Sequence, residues 1–144
     1  EGIVEIDGEK IRIFGIGMGN PHMVIFANDN RKIPLEKWGK ELEIEPRFPA
    51  KTNVHFVEIK SRNILDVHSW ERGCGPTLAC GTGACACVVV SNHLGLCDNK
   101  VYVNLKGGQL EIRWPTSDSN ILMTGPAQLV YSGSFNMNNV QVKH

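Results

Sequence analysis

The run from Thr82 to Asn92 reads as a helix with no polar face. A helix that is apolar on every side is stable in water only when other elements surround it, so this segment dictates the architecture of the rest. Gly95 is its stop signal. The remaining apolar residues alternate over short stretches, the period of strands, and strands are therefore what must enclose the helix.

Ile3 to Phe14 reads as two strands around Asp7-Gly8, a two-residue hairpin signal, with Ile11, Ile13 and Ile16 alternating onward. Gly19-Asn20-Pro21-His22 is a turn, after which His22 to Ala27 resumes the strand pattern. Pro34 to Glu43 is a short helix, ended by Glu45-Pro46 and Phe48-Pro49 and expected to cover a sheet edge. Strands follow at Asn53–Lys60 and Ile64–Trp70, then a loop at Gly73–Pro76. Beyond the apolar helix, short strands are expected at Val101–Leu105, Leu110–Trp114, Ile121–Thr124 and Gln128–Tyr131. The expected fold is α+β, an antiparallel β-sheet of about eight strands wrapped around a central buried helix. The polar stretch Ser132–Asn139 is expected to be loose.

Charge narrows the partner. Fifteen Lys and Arg balance fifteen Asp and Glu in 144 residues, so there is no bulk attraction to nucleic acid or anionic membrane. The apolar run Ala84–Val90 is too short to span a bilayer, and no basic-then-apolar leader opens the chain. A soluble protein acting on a small molecule is the expectation. The chain begins at Glu1, without methionine, directly in strand-like residues, and reads as a fragment.

All five cysteines (Cys74, Cys80, Cys85, Cys87 and Cys97) crowd into one region. An odd, crowded set fits a reducing compartment better than a disulfide framework. On the helix, Cys80 and Cys87 share a face but stand about 10 Å apart, while Cys85 and Cys87 point to different faces. Thiolates sharing one zinc ion must each lie about 2.3 Å from it, so no metal site is expected. Cys80 is different because it stands just before the first turn, where unpaired N–H groups and the helix dipole favour a thiolate and can hold an anion. It is expected to be the most reactive of the five thiols.

Polar clusters gather ahead of that helix start: Gly19-Asn20-Pro21-His22, Thr52-Asn53, Glu71-Arg72-Gly73 and Cys80-Gly81-Thr82. Their chemistry suits an amino-acid ligand. Arg72 can clamp a carboxylate, Glu71 can accept from an ammonium, Asn20 and Asn53 can donate to a second carboxylate, and the amides of Gly81 and Thr82 can hold the α-carboxylate beside Cys80.

The segments Met18-Gly19-Asn20-Pro21-His22, Thr52-Asn53-Val54, Trp70-Glu71-Arg72-Gly73, Thr77 to Ala86, and Met123-Thr124-Gly125-Pro126-Ala127 closely resemble the diaminopimelate epimerase family. These are pyridoxal-independent isomerases of lysine and peptidoglycan biosynthesis. The resemblance implies one half of a two-domain fold, with residues 1–144 as the C-terminal domain and 126–144 as a crossover tail toward a missing N-terminal domain. It implies Cys80 as one of two acid/base cysteines, with Glu71 and His22 assisting. Asn20, Asn53 and Arg72 then bind the distal end of diaminopimelate, and Gly81 and Thr82 cradle the α-carboxylate. No cofactor is implied, and the location is cytoplasmic, or the plastid stroma in a plant. The second cysteine belongs to the missing domain, so the isolated half is expected to be inactive, and two chains associating as a homodimer is a further expectation. Pro76 departs from the family, where glutamate is frequent, but lies outside the residues given roles.

Three other readings share parts of this pattern. A proline racemase-like isomerase usually carries proline before the cysteine, where this chain has Ala79. A cysteine hydrolase needs a histidine aimed at Cys80, and His22, His55, His68 and His93 qualify only by type. A lone half acting as a non-catalytic binding module is the third.

Overall fold

The computed structural model describes residues 1–136. Its strands are β1 (Gly2–Ile6), β2 (Glu9–Gly17), β3 (Pro21–Phe26), β4 (Asn53–Ser61), β5 (Ile64–Glu71), β6 (Gly75–Pro76), β7 (Lys100–Leu105), β8 (Gly108–Arg113) and β9 (Leu122–Thr124). Helix α1 spans Leu35–Glu43 and α2 spans Gly81–His93. The strands form one sheet in the order β1-β2-β3-β4-β5-β7-β8-β9, with β6 attached to β5.

The β1–β2 hairpin turns on Asp7 and Gly8, both in the left-handed region at φ 52° and 76°, as a two-residue turn matched to strand twist requires. Asp7 then accepts from the Trp38 indole at 2.8 Å and pairs with Lys37, fastening the hairpin to α1.

The α+β class holds, but the sheet is mixed rather than antiparallel. β3 pairs with β4 in parallel, and so does β5 with β7. Each parallel pair is joined by a long connection carrying a helix, as parallel pairing demands. The two crossovers start from strands of opposite direction, so one right-handed sense puts their helices on opposite faces. The cores agree. Val24, Val57, Leu65 and Val67 pack with α2 on one face, while Met23, Ile25, Val54 and Phe56 pack with Trp38 and Leu42 of α1 on the other. Helix α1 thus lies across β4 and β5, not along an edge.

The sheet does curl around α2, which touches both β2 and β8. Closure is incomplete. Thr82 and His93 are exposed and Cys85 and Val89 half-buried, a stripe at helical spacing that stays open between β2 and β8. The loop expected at Gly73–Pro76 contributes the short β6. Gln128–Tyr131 is not a strand, and Leu129, Val130 and Tyr131 are all more than four-fifths exposed. These residues read as a strand in the sequence, but among the described residues they meet no neighbour to supply its hydrogen bonds. The expected loose stretch and crossover tail lie partly outside the described residues.

Candidate active site

Strand alternation and the direction of β3, β4 and β5 bring the candidate residues to one place. On the α2 side of the sheet stand His22 of β3, Asn53 and His55 of β4, and Ser69 and Glu71 of β5, in register across three adjacent strands. The first turn of α2 sits over them. Its contact is so close that a Cβ on Gly83 would lie 2.3 Å from Cε1 of His55. Glycine at this position is therefore a condition for seating the helix, not a helix preference.

Cys80 is the N-cap of α2, with extended backbone at φ −132°, and its carbonyl accepts from Ala84 N–H at 2.9 Å. The residue is 5% exposed, and Thr82 Oγ1 lies 3.8 Å from Sγ. The favoured thiolate is not what this environment produces. Burial pushes the thiol above its ordinary range, and the Glu71 carboxylate adds to the push, against the Gly83 N–H and the Thr82 hydroxyl. Cys74, in contrast, is exposed, on the turn where its N–H bonds the Glu71 carbonyl at 3.0 Å. The burial of Cys80 and the exposure of Cys74 run against the expectation that Cys80 is the most reactive thiol.

His22 is fully buried. Its Nε2 lies 2.9 Å from Asn20 Oδ1 and its Nδ1 2.8 Å from His55 Nε2, while His55 Nδ1 lies 2.9 Å from Ser69 Oγ. Burial holds His22 below the usual imidazole range, with Arg72 adding to that and Glu71 opposing it. His55 falls further, to about 3, through burial and the neighbouring His22. Burial thus favours the neutral form of both rings.

Asn53 pins the site floor. Its Nδ2 donates to the Pro21 carbonyl at 2.9 Å and its Oδ1 accepts from Arg72 N–H at 3.1 Å, which leaves one amide hydrogen for a ligand. The Arg72 guanidinium is exposed and donates to the Ala50 carbonyl at 2.7 Å. It stands on the exposed turn at the rim that follows β5. Thr82 is exposed, and Gly81 is half-buried under Met123, whose sulfur would meet a Cβ there at 3.1 Å. A shallow depression of about 610 Å³ borders the site through Gly19, Asn20 and Pro21. A deeper-walled cleft of about 520 Å³, lined by Glu58, Asp66 and His68, touches none of these residues.

Sequence reasoning passed over three supports. His55 and Ser69 form the network behind His22, and Glu43 holds the Glu71–Gly73 turn. The Glu43 carboxylate accepts from the Trp70 indole at 2.8 Å and from Gly73 N–H at 3.1 Å, and Lys51 pairs with it. The Trp70 bond leads the effects that lower its pKa. A signal for His55 was present: it stands two residues after Asn53 in a strand, hence on the same face. Among the described residues no group of three or more His, Cys, Asp or Glu is placed to hold a metal ion, and no helix is long and apolar enough to cross a membrane.

Comparison with known proteins defines first the fold and then the family. Two solved PhzF-family phenazine biosynthesis proteins superpose on the chain. The one from Bacillus anthracis has a TM-score of 0.57 at 17% identity, covering 78% of this chain and 39% of that one. The one from Enterococcus faecalis has a TM-score of 0.51 at 16% identity, covering 66% and 34%. At that identity they show a shared fold. Residues 14–130 match the family described as diaminopimelate epimerase. The diaminopimelate epimerase of Prochlorococcus marinus (strain NATL1A) is 48% identical over 136 residues, 94% of this chain and 48% of that protein. That of Halothermothrix orenii is 49% identical over 130 residues, 90% and 45%. The chain belongs to the diaminopimelate epimerase family, and it spans about half the length of the curated relatives it matches.

Proposed function

We propose that the chain is the C-terminal half of a pyridoxal-independent epimerase that interconverts LL- and meso-2,6-diaminopimelate, acting in the cytoplasm, or in the plastid stroma in a plant. The observation that carries this reading is Cys80 at the N-cap of α2 with the Glu71 carboxylate against its thiol, in a chain that belongs to this family.

Inversion at an α-carbon breaks one Cα–H bond and forms another on the opposite face. It therefore needs two acid/base groups, one on each side. Cys80 serves one face and a cysteine of the other domain serves the second. The Cα proton passes to the thiolate on one side, the thiol on the other returns a proton, and no electron is gained or lost. The intervening carbanion is stabilised by fixed amide dipoles, for which the unpaired N–H groups of Gly81 and Thr82 are placed at the helix start.

The raised thiol has a physical role in this scheme. Burial does most to hold Cys80 protonated and Glu71 adds to it; a substrate ammonium paired with Glu71 removes that second contribution and so favours the thiolate when substrate binds. His22 assists the proton transfer, while Asn20, Asn53 and Arg72 hold the distal carboxylate, Arg72 by swinging from the Ala50 carbonyl. Half of the contacts and one of the two bases lie outside the chain, so the isolated chain is inactive, and the exposed Leu129–Tyr131 segment is where the other domain, or a second copy in a homodimer, docks.

The test is turnover of LL-diaminopimelate by the chain alone and by the chain joined to the N-terminal half of a relative. Activity in the joined protein only is expected. Turnover by the chain alone at a comparable rate, or none by a folded joined protein, overturns the proposal.

A further inference from the structure

The hydrogen bonds from Asn20 through His22 and His55 to Ser69 span three strands, and their protons are not independent. Two neutral imidazoles share the 2.8 Å contact between His22 Nδ1 and His55 Nε2, so a single proton lies between them. The amide oxygen of Asn20 faces His22 Nε2, and a carbonyl oxygen can only accept. With the Asn20 amide in this orientation His22 takes the Nε2–H tautomer, its bare Nδ1 accepting from His55 Nε2–H and the bare Nδ1 of His55 accepting from the Ser69 hydroxyl. Turning the Asn20 amide over would reverse all three bonds together.

The outer end of this chain faces the depression at Gly19–Pro21, where Asn20 is half-buried and its Nδ2 makes no hydrogen bond among the described residues. With Oδ1 held inward, the two amide hydrogens point toward a ligand. In the reversed arrangement the carbonyl oxygen would face outward and repel a carboxylate.

We propose that His55 and Ser69 are positioning residues coupled through these bonds to His22 and Asn20, so that the four side chains keep one polarity with the Asn20 N–H donors outward, selecting an anionic oxygen ligand at that subsite. The assignment of a carboxylate as that ligand rests on the proposed function, whereas the tautomer assignment does not. The surroundings suit a fixed device. His55, at 0% exposure, is pressed by the backbone of Gly83, and its ring is tied at both nitrogens, so it has no room to turn over. Its neutrality, from burial, keeps the number of shared protons constant.

The experiment is ¹⁵N NMR of histidine-labelled protein carrying this chain, without ligand, comparing the chain as it stands with His55→Leu, His55→Gln and Ser69→Ala. Backbone amide spectra establish that each variant is folded. The expected result is a single Nε2–H tautomer at His22, kept in His55→Gln, whose side-chain amide can still donate to Nδ1. It is lost to averaging in His55→Leu and in Ser69→Ala, the variant that keeps both rings packed. In the active protein, KM for diaminopimelate rises about tenfold in His55→Leu, more than kcat falls, and His55→Gln restores it to within about threefold. An Nδ1–H tautomer at His22, averaged tautomers in the unaltered chain, or an unchanged single tautomer in both His55→Leu and Ser69→Ala overturns the proposal. These readouts stand even where no epimerase activity is found.

Discussion

Replacing Gly83 by alanine sets two effects of opposite sign against each other. Alanine in place of glycine inside a helix is worth up to about 1 kcal/mol in favour of folding. The added Cβ, however, would lie 2.3 Å from Cε1, 2.7 Å from Nε2 and 2.9 Å from Nδ1 of His55, where ordinary carbon contacts are about 3.5–4 Å. The ring cannot yield without breaking its bonds to His22 or Ser69, so either the helix start lifts or a buried hydrogen bond is lost. Overpacking costs about 1–3 kcal/mol and an orphaned buried polar group a similar amount. The clash wins, and with either cost at about 1–3 kcal/mol and a gain of up to about 1 subtracted, Gly83→Ala destabilises by about 1–2 kcal/mol. Urea unfolding measures this directly. The cause is isolated by a double-mutant cycle: in a His55→Ala background the Cβ has space, and the same substitution becomes neutral or stabilising by up to about 1 kcal/mol. A stabilising Gly83→Ala in the unaltered chain, or equal costs in both backgrounds, would show that α2 does not rest on the His55 ring.

Acid should destabilise the fold through the same ring. His55 is held at about 3 in the fold against 6.5 when exposed, so its stabilising contribution is whole above pH 6.5 and is lost as pH falls toward 3. By pH 5 the loss is about 2 kcal/mol. Stability measured against pH should show this loss and His55→Gln should remove it, whereas parallel curves would count against a neutral buried His55. Limited alkylation at neutral pH, mapped by mass, should mark Cys74 first, with Cys80 slower and accelerating as pH rises, and Cys87 and Cys97 protected by burial. Cys80 labelling ahead of Cys74 at pH 7 would mean that the helix start outweighs burial and Glu71. Arg72→Ala removes an exposed rim cation whose protein partner is one carbonyl, so kcat/KM in the active protein should fall by about 2 kcal/mol or more with melting almost unchanged. Early melting with normal turnover per folded molecule would make Arg72 structural.

What could be read from the residues was what short-range physics decides. Asp7-Gly8 demands left-handed backbone and forms the hairpin, the featureless polarity of Thr82–Asn92 demands burial, and Cys80 falls at the cap. Pairing between strands distant in sequence was not legible. Alternation in β3, β4, β5 and β7 says which side chains share a face but not which neighbour runs parallel. The one hint was the length of the helix-bearing connections at 27–52 and 72–99. Gln128–Tyr131 failed for the opposite reason: a strand pattern is a potential that needs a partner, and the described residues supply none. Within the site, the named residues do gather at the start of α2, but the thiol's ionisation was misjudged, because desolvation and the approach of Glu71 are set by tertiary packing that a helix-cap argument does not contain. Ser69 was not singled out and His55 only by type, because each belongs to an ordinary strand and gains meaning only when three strands align them.

The claim on which the rest depends is that Cys80 moves the α-proton. In deuterated water, a folded protein that joins this chain to a domain carrying the second cysteine should convert LL-diaminopimelate to meso product with one deuterium at the inverted α-carbon. Cys80→Ser should lower that rate by about 100-fold or more while leaving the fold intact. Inversion by Cys80→Ser at a rate within about tenfold of the unaltered protein would contradict the account.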